Sequence, residues 1–395
     1  MNRPLRIAIL AHSTTPRGGV VHALALGEAL AAQGHEPVVH APALPGQGFF
    51  RKPDCGTCLV PASACGSGLA ALVEARIGDY VAHFEAPAHR RFDIYHAQDG
   101  ISGNALATLK QRGTIPAFAR TVHHIDAFAD PRVDRWQTRS IVEADRHFVV
   151  SRTWQEALRD GFGLDSAVVG NGVDRRIFTP RPDGRETALR ERLGLGAGPV
   201  FLAVGGVEER KNTLLMLQAF GQLRAVEPEA QFLIVGGASL LDHAGYQAAF
   251  QAQLAADPDT RRSVVLAGPQ AQADMPALYR LADALVFASV KEGFGLVALE
   301  ALACGTPVVI SHIAPFTEHF SDGDVVWCDP HEPGSIANAM AAVVMPDLRR
   351  RLEQRRETAL APHGWDQTAA AHLPAYRDLA RATSPGHAWH ELHHA

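Results

Sequence analysis

The sequence predicts an α/β protein made of two Rossmann-like domains. Three observations carry that reading. Short apolar, β-branched runs alternate with longer helical patterns along most of the chain. The alternation breaks at a Pro-, Gly- and charge-rich segment, Thr179–Arg185, and then resumes. The 395 residues also exceed the roughly 250–300 that one hydrophobic core accommodates.

Leu5–Ala11 reads as a buried first strand, and Val20–Gln33 as a helix with apolar residues at 20, 21, 24, 26 and 30. Gly34 closes that helix, as a C-terminal glycine does. Pro37–His40, Asp93–Ala97, Ala117–His123, His147–Ser151 and Ala167–Val169 are the remaining strands of the first half. Residues 43–70, with five glycines, three prolines and three cysteines, read as a long irregular loop. In the second half, strands are expected at Val200–Val204, Phe232–Val235, Val264–Ala267, Ala284–Ala288 and Pro307–Ile310. Helices are expected at Asn212–Val226, Tyr246–Ala256, Met275–Leu281 and Leu296–Ala303, then at 334–344, 347–360 and 366–382. Strands alternating with helices imply parallel sheets covered on both faces. Ligands of such sheets sit at the carboxyl ends of the strands, so an interdomain cleft is the expected site.

Composition removes several classes. The charge balance is 37 basic against 42 acidic side chains, a net −5, which leaves no basic excess to hold a nucleic-acid backbone. Five cysteines do not make a disulfide framework. No apolar run reaches the roughly 18–20 residues of a membrane span. The apolar run at the N-terminus is too short for a signal peptide and carries Arg6, so the cytoplasm is the expected compartment.

Two glycine-bearing turns stand where chemistry is expected. Gly18-Gly19 opens the first helix, where backbone N–H groups and the positive helix end suit a phosphate; a plain tight turn explains it equally well. Glu292-Gly-Phe-Gly-Leu-Val-Ala-Leu-Glu300 leaves a strand, crosses a Gly-x-Gly turn and enters a helix. The amides of Phe294, Gly295 and Leu296 start that helix. Glu300 stands among apolar neighbours and needs a partner, which a ribose diol supplies.

These residues resemble the retaining glycosyltransferases of family 4, with the GT-B fold of two facing Rossmann-like domains, an interdomain cleft and a last helix crossing back to the first domain. Glu292 and Glu300 match the E-x7-E motif, and Asn171-Gly172-Val173-Asp174 with Phe178 and Pro180 matches N-G-V-D-x-x-x-F-x-P. Tyr95-His96-Ala97-Gln98-Asp99 with Ser102-Gly103 resembles H-x-H-D-W-x-S-G, with glutamine at the second histidine. Thr121-Val122-His123, Gly18-Gly19 with His22, and Trp365 with Tyr376 resemble further family segments. The resemblance implies a first, acceptor domain over 1–180 with a C-terminal helix at about 366–383, and a donor domain over 198–365. It implies catalytic roles for Glu292, His123 and Lys211. Gly18, Gly19, Gly205, Arg210, Phe294, Gly295, Leu296 and Glu300 would bind a nucleotide-diphosphate sugar, with no cofactor and no metal. Sugar, small-molecule and lipid acceptors all remain open, as does contact with a membrane surface.

One departure stands out. The family pattern G-R-L-x-x-x-K reads Gly205-Gly206-Val207-Glu208-Glu209-Arg210-Lys211, so the arginine is replaced by Gly206. Either Arg210 takes over its charge or Arg210 decorates a solvated turn. A sugar-nucleotide binder without activity, a phosphorylase and an epimerase are the alternatives. Cys55-Gly-Thr-Cys58 with Cys65 has no second C-x-x-C or nearby His pair to complete four zinc ligands, so reduced thiols are expected. Asp257-Pro-Asp259 and Asp322-Gly-Asp324 read as turn formers. The histidines of Ser384–Ala395 suit a frayed terminus better than a metal site.

Overall fold

The computed structural model describes residues 3–237 and 243–383; the histidine-bearing tail lies outside them. The chain divides into two compact units, Met1–Gly172 with Trp365–Ala395, and Val173–Gly364.

The first unit holds β1 (Arg6–Leu10), β2 (Glu36–Ala43), β3 (Gly56–Pro61), β4 (Ile94–Ala97), β5 (Ala119–Val122), β6 (Arg146–Val149) and β7 (Ala167–Val168). They form one parallel sheet in the order β3-β2-β1-β4-β5-β6-β7. β1 is fully buried beyond Arg6, as a central strand covered on both faces must be. The helix Gly18–Ala32 packs on it through Val20, Ala23, Leu24 and Leu26.

The second unit repeats the plan with β8 (Val200–Val204), β9 (Gln231–Val235), β10 (Val264–Gly268), β11 (Ala284–Phe287), β12 (Val308–Ser311) and β13 (Val326–Cys328). Their order is β10-β9-β8-β11-β12-β13, again parallel. Phe201, Phe220, Phe232, Phe250, Val286 and Met340 anchor its core. In both units the strand order reverses beside the first strand, between β1 and β4 and between β8 and β11. Loops leaving the carboxyl ends there frame the binding crevice of a doubly wound sheet.

The structure corrects the sequence reading in three places. Residues 43–70 are not irregular throughout: they contain β3, and the helix Leu69–Glu85 begins within them. β3 is an edge strand whose residues are mostly exposed, so it lacks the apolar alternation that marks a half-buried strand. β13 is a three-residue edge strand, too short to register as a pattern. The boundary between units falls at 172/173 and not at 180–198. The helix Arg185–Arg192 joins the second unit because Arg280 pairs with Asp183 and Glu186 at its start. Both Asp-x-Asp segments do form turns: Asp257 accepts from the amides of Asp259 and Thr260, and Asp324 from that of Ser321. Among the described residues, no helix is long and apolar enough to cross a membrane.

Candidate active site

In the second unit the loops after β8 and β11 converge on one carboxylate. Lys211 Nζ and Arg210 Nη1 both lie 2.7 Å from Glu292 Oε1. The side chains of Glu292 and Lys211 are 9% and 14% exposed, whereas Arg210 is 37% exposed, so Arg210 is the cation on the solvent side. Lys211 also sits 4.8 Å above the Phe287 ring, a cation–π contact at the end of β11. Burial works against ionisation of Glu292, yet Lys211 and Arg210 outweigh it and hold the carboxyl below its ordinary range. Burial lowers Lys211, and Arg210 adds to the effect while Glu292 opposes it.

Backbone geometry builds this cluster. Gly205 has φ +139°, and a Cβ there would lie 2.7 Å from Lys211 Cε, so glycine leaves the path for the lysine stem. Gly206 follows at φ +79°, a left-handed conformation that an arginine adopts only at a cost. The sequence departure at 206 therefore coincides with a backbone suited to glycine. Asn212, also left-handed, ties the turn down by donating to the carbonyls of Ala288 and Pro330 at 2.9 and 2.6 Å.

The second glutamate is held differently. Tyr279, fully buried, donates its hydroxyl to Glu300 Oε2 at 2.7 Å. Burial pushes the Glu300 carboxyl up to about 7, with the Tyr279 hydrogen bond acting the other way. Glu300 belongs to the helix Leu296–Ala303, which starts at Gly295 with no capping side chain and no acid in its first turn. Its free N–H groups are a ready anion site. Gly295 has φ +102°, and a Cβ there would lie 2.7 Å from Phe316 and 3.2 Å from Phe287. The Phe294 side chain is buried against His319, which leaves its backbone as the part available to a ligand.

The first unit gathers a separate polar cluster at the ends of β1, β4 and β5. His123 Nε2 lies 3.0 Å from Gln98 Oε1, and the Gln98 amide nitrogen lies 3.2 Å from His96 Nδ1. His96 in turn meets Thr121 Oγ1 at 2.7 Å and the Tyr376 hydroxyl at 2.6 Å. His22 stands edge-on to His123, with ring centroids 4.9 Å apart, and pairs with Asn171 at 2.5 Å. Gly19 faces the His123 ring, and the space beside Gly18 is open. No side chain caps the helix these glycines begin.

Of the residues expected from sequence, Gly205, Arg210, Lys211, Glu292, Phe294, Gly295, Leu296 and Glu300 belong to the second unit, and Gly18, Gly19 and His123 to the first. Sequence reading missed Tyr279 and gave no role to Gln98 or Asn171. Tyr279 is 21 residues from Glu300, a spacing with no local signature.

Family comparisons agree with this layout. The model described as Glycosyltransferase Family 4 matches residues 16–176, and that described as Glycosyl transferases group 1 matches residues 186–358. D-inositol 3-phosphate glycosyltransferase of Xylanimonas cellulosilytica is 33% identical over 321 residues, covering 75% of this chain and 75% of the relative. Its counterpart in Salinispora arenicola is 32% identical over 321 residues, covering 74% and 70%. Among solved structures, sucrose-phosphate synthase from Thermosynechococcus elongatus matches with a TM-score of 0.78 at 23% identity, covering 96% of this chain and 100% of that one. Anabaena HepE, solved in complex with UDP and glucose, matches with a TM-score of 0.74 at 17% identity, covering 94% and 99%. The chain belongs to glycosyltransferase family 4 and is a glycosyltransferase of the GT-B fold.

Proposed function

We propose that the chain moves a sugar from a nucleotide-diphosphate donor to an acceptor hydroxyl, with retention of configuration and without a metal ion. The observation that carries this reading is the pairing of Arg210 and Lys211 on Glu292 beside a helix start that presents free N–H groups. In the proposed step the bond between the anomeric carbon and the diphosphate oxygen breaks, and the acceptor oxygen bonds to that carbon. The departing diphosphate takes the acceptor's proton. Two cations and oriented amides meet the charge that grows on the leaving group, the role a divalent ion fills elsewhere. Glu292 is assigned to a donor hydroxyl and Glu300, through the oxygen that Tyr279 does not hold, to the ribose. His123 is assigned to the donor sugar by family resemblance.

Arg210 is proposed to supply the charge that the family places at position 206. Its contact with Glu292 at 2.7 Å favours that role over a solvated turn. The relatives named for D-inositol 3-phosphate make a phosphorylated cyclitol the first acceptor to try. The arginine run 349–351 does not require an anionic surface: Arg349 pairs with Asp283 and Arg350 with Asp347.

The test is a thermal-shift screen against UDP, GDP, ADP and their sugar conjugates, with and without EDTA. A ligand at 100 times its Kd adds about 2.7 kcal/mol, a clear rise in Tm. A shift with one nucleotide that survives EDTA, lost in Glu300→Gln, is expected. No shift with any nucleotide would sink the donor assignment.

A further inference from the structure

We propose a metal site in the first unit, formed by His40, Cys58 and His83, that takes a zinc-class ion and clips edge strand β3 to β2 and to the helix Leu69–Glu85. One ligand atom from each of the three residues comes within 4.8 Å of the other two. Cys58 Sγ stands 3.8 Å from His83 Nε2. Ligand bonds of about 2.0–2.3 Å in a tetrahedral set put donor atoms roughly 3.3–3.8 Å apart, so Cys58 and His83 stand at the upper end of that range while the widest separation, within 4.8 Å, has to close on binding.

Three elements produce this juxtaposition. In the parallel register of β2 and β3, His40 is the partner of Cys58, so both side chains leave the same face of the sheet. The helix Leu69–Glu85 brings His83 over that face. Tyr80 of the same helix fastens it, its hydroxyl lying 2.6 and 2.8 Å from the carbonyls of Ala11 and His40.

The site also answers an anomaly. His40 is 2% exposed, and neither of its ring nitrogens has a hydrogen-bond partner. Its surroundings are the rings of His83, Phe84 and Phe92. A buried imidazole without a carboxylate beside it is neutral, and so presents a lone pair where a metal can use it. Two imidazoles and a thiolate form a soft, nitrogen–sulfur set suited to zinc, with the fourth position left to water. Metal binding would release the Cys58 proton to solvent. The sequence hides the site because the Cys-x-x-Cys spacing misleads. Cys55 packs instead among the apolar residues of the core on the helix Gly18–Ala32, its Sγ close to Gly27, and Cys65 is exposed.

The experiment is a titration of the full chain with Co²⁺, followed by its displacement with Zn²⁺. A thiolate-to-cobalt charge-transfer band is expected, at one ion per chain, in wild type, Cys55→Ser and Cys65→Ser. It should vanish in Cys58→Ser, and His83→Gln should weaken Co²⁺ binding at least tenfold. Histidines of the tail lack a thiol and cannot produce this band. Zn²⁺ should raise the Tm of wild type but not of Cys58→Ser. As a check that needs no variant, Zn²⁺ should slow alkylation of Cys58 while leaving Cys65 unchanged. No band in wild type, a band that survives Cys58→Ser, unchanged affinity in His83→Gln, or equal alkylation of Cys58 with and without Zn²⁺ would each overturn the site.

Discussion

Glu300 and Glu292 carry the same functional group into opposite electrostatic settings. Glu292 is surrounded by cations and held ionised, whereas Glu300 faces a tyrosine and an apolar helix and is pushed up to about 7. Because that value lies above the ordinary 4.5, the ionised form is the penalised one in the folded chain. Taken alone, Glu300 should therefore subtract up to about 3 kcal/mol as pH climbs from about 4.5 to about 7, against the stability that buried neutral histidines such as His22 and His372 add over the same range. Glu300→Gln keeps an acceptor for Tyr279 and removes the penalty. Its Tm should exceed wild type at pH 8 and match it near pH 4, while nucleotide affinity falls; thermal melts and calorimetric titration measure the two effects. Nucleotide affinity of the wild type should rise between pH 6 and 8 more steeply than that of the variant. Lys211→Met should lower kcat by about 10²–10³, as loss of one preorganised charge on a leaving group does. Arg210→Ala should cost a similar factor, and unchanged turnover in steady-state assays would return Arg210 to a surface role.

At the scale of elements, the start of the helix Leu296–Ala303 depends on Gly295. A side chain there meets Phe316 at 2.7 Å in a backbone conformation that L residues avoid. Gly295→Ala should destabilise the second unit by about 1–3 kcal/mol and weaken nucleotide binding. Denaturant melts and the thermal-shift screen read the two effects; an unperturbed melt would show that the turn relaxes freely. Most elements are legible in sequence because their periodicity is strong. The helix Leu296–Ala303 and β8 match their expected bounds residue for residue. Strand β3 is not legible because most of its residues are exposed, and β13 because three residues are too few to form a pattern.

At the scale of the molecule, each unit has its own core, but the first is built from two separated stretches of chain. Ala369, Tyr376 and Leu379 of the helix Trp365–Ala382 pack with β1, β4 and β6 residues Ile7, Ile94 and Phe148. The second unit, by contrast, is one continuous stretch, Val173–Gly364, with a core cluster that runs from Phe201 to Leu352. A chain ending at Gly364 should lose the calorimetric unfolding transition of the first unit and keep that of the second, with its nucleotide-induced shift. Retention of both transitions would show that the last helix is dispensable.

Local and repeated features are legible in the chain alone. Strand–helix alternation, the glycines that open helices, and the E-x7-E and N-G-V-D segments follow from neighbours in the chain, and they suffice for the fold class and for most of the candidate site. Which distant groups meet is settled by packing. The Gly206 turn brings Arg210 onto Glu292, Tyr279 reaches Glu300, and strand register sets His40 beside Cys58. Those partners depend on packing and register between elements, which leave no periodic trace in either segment alone.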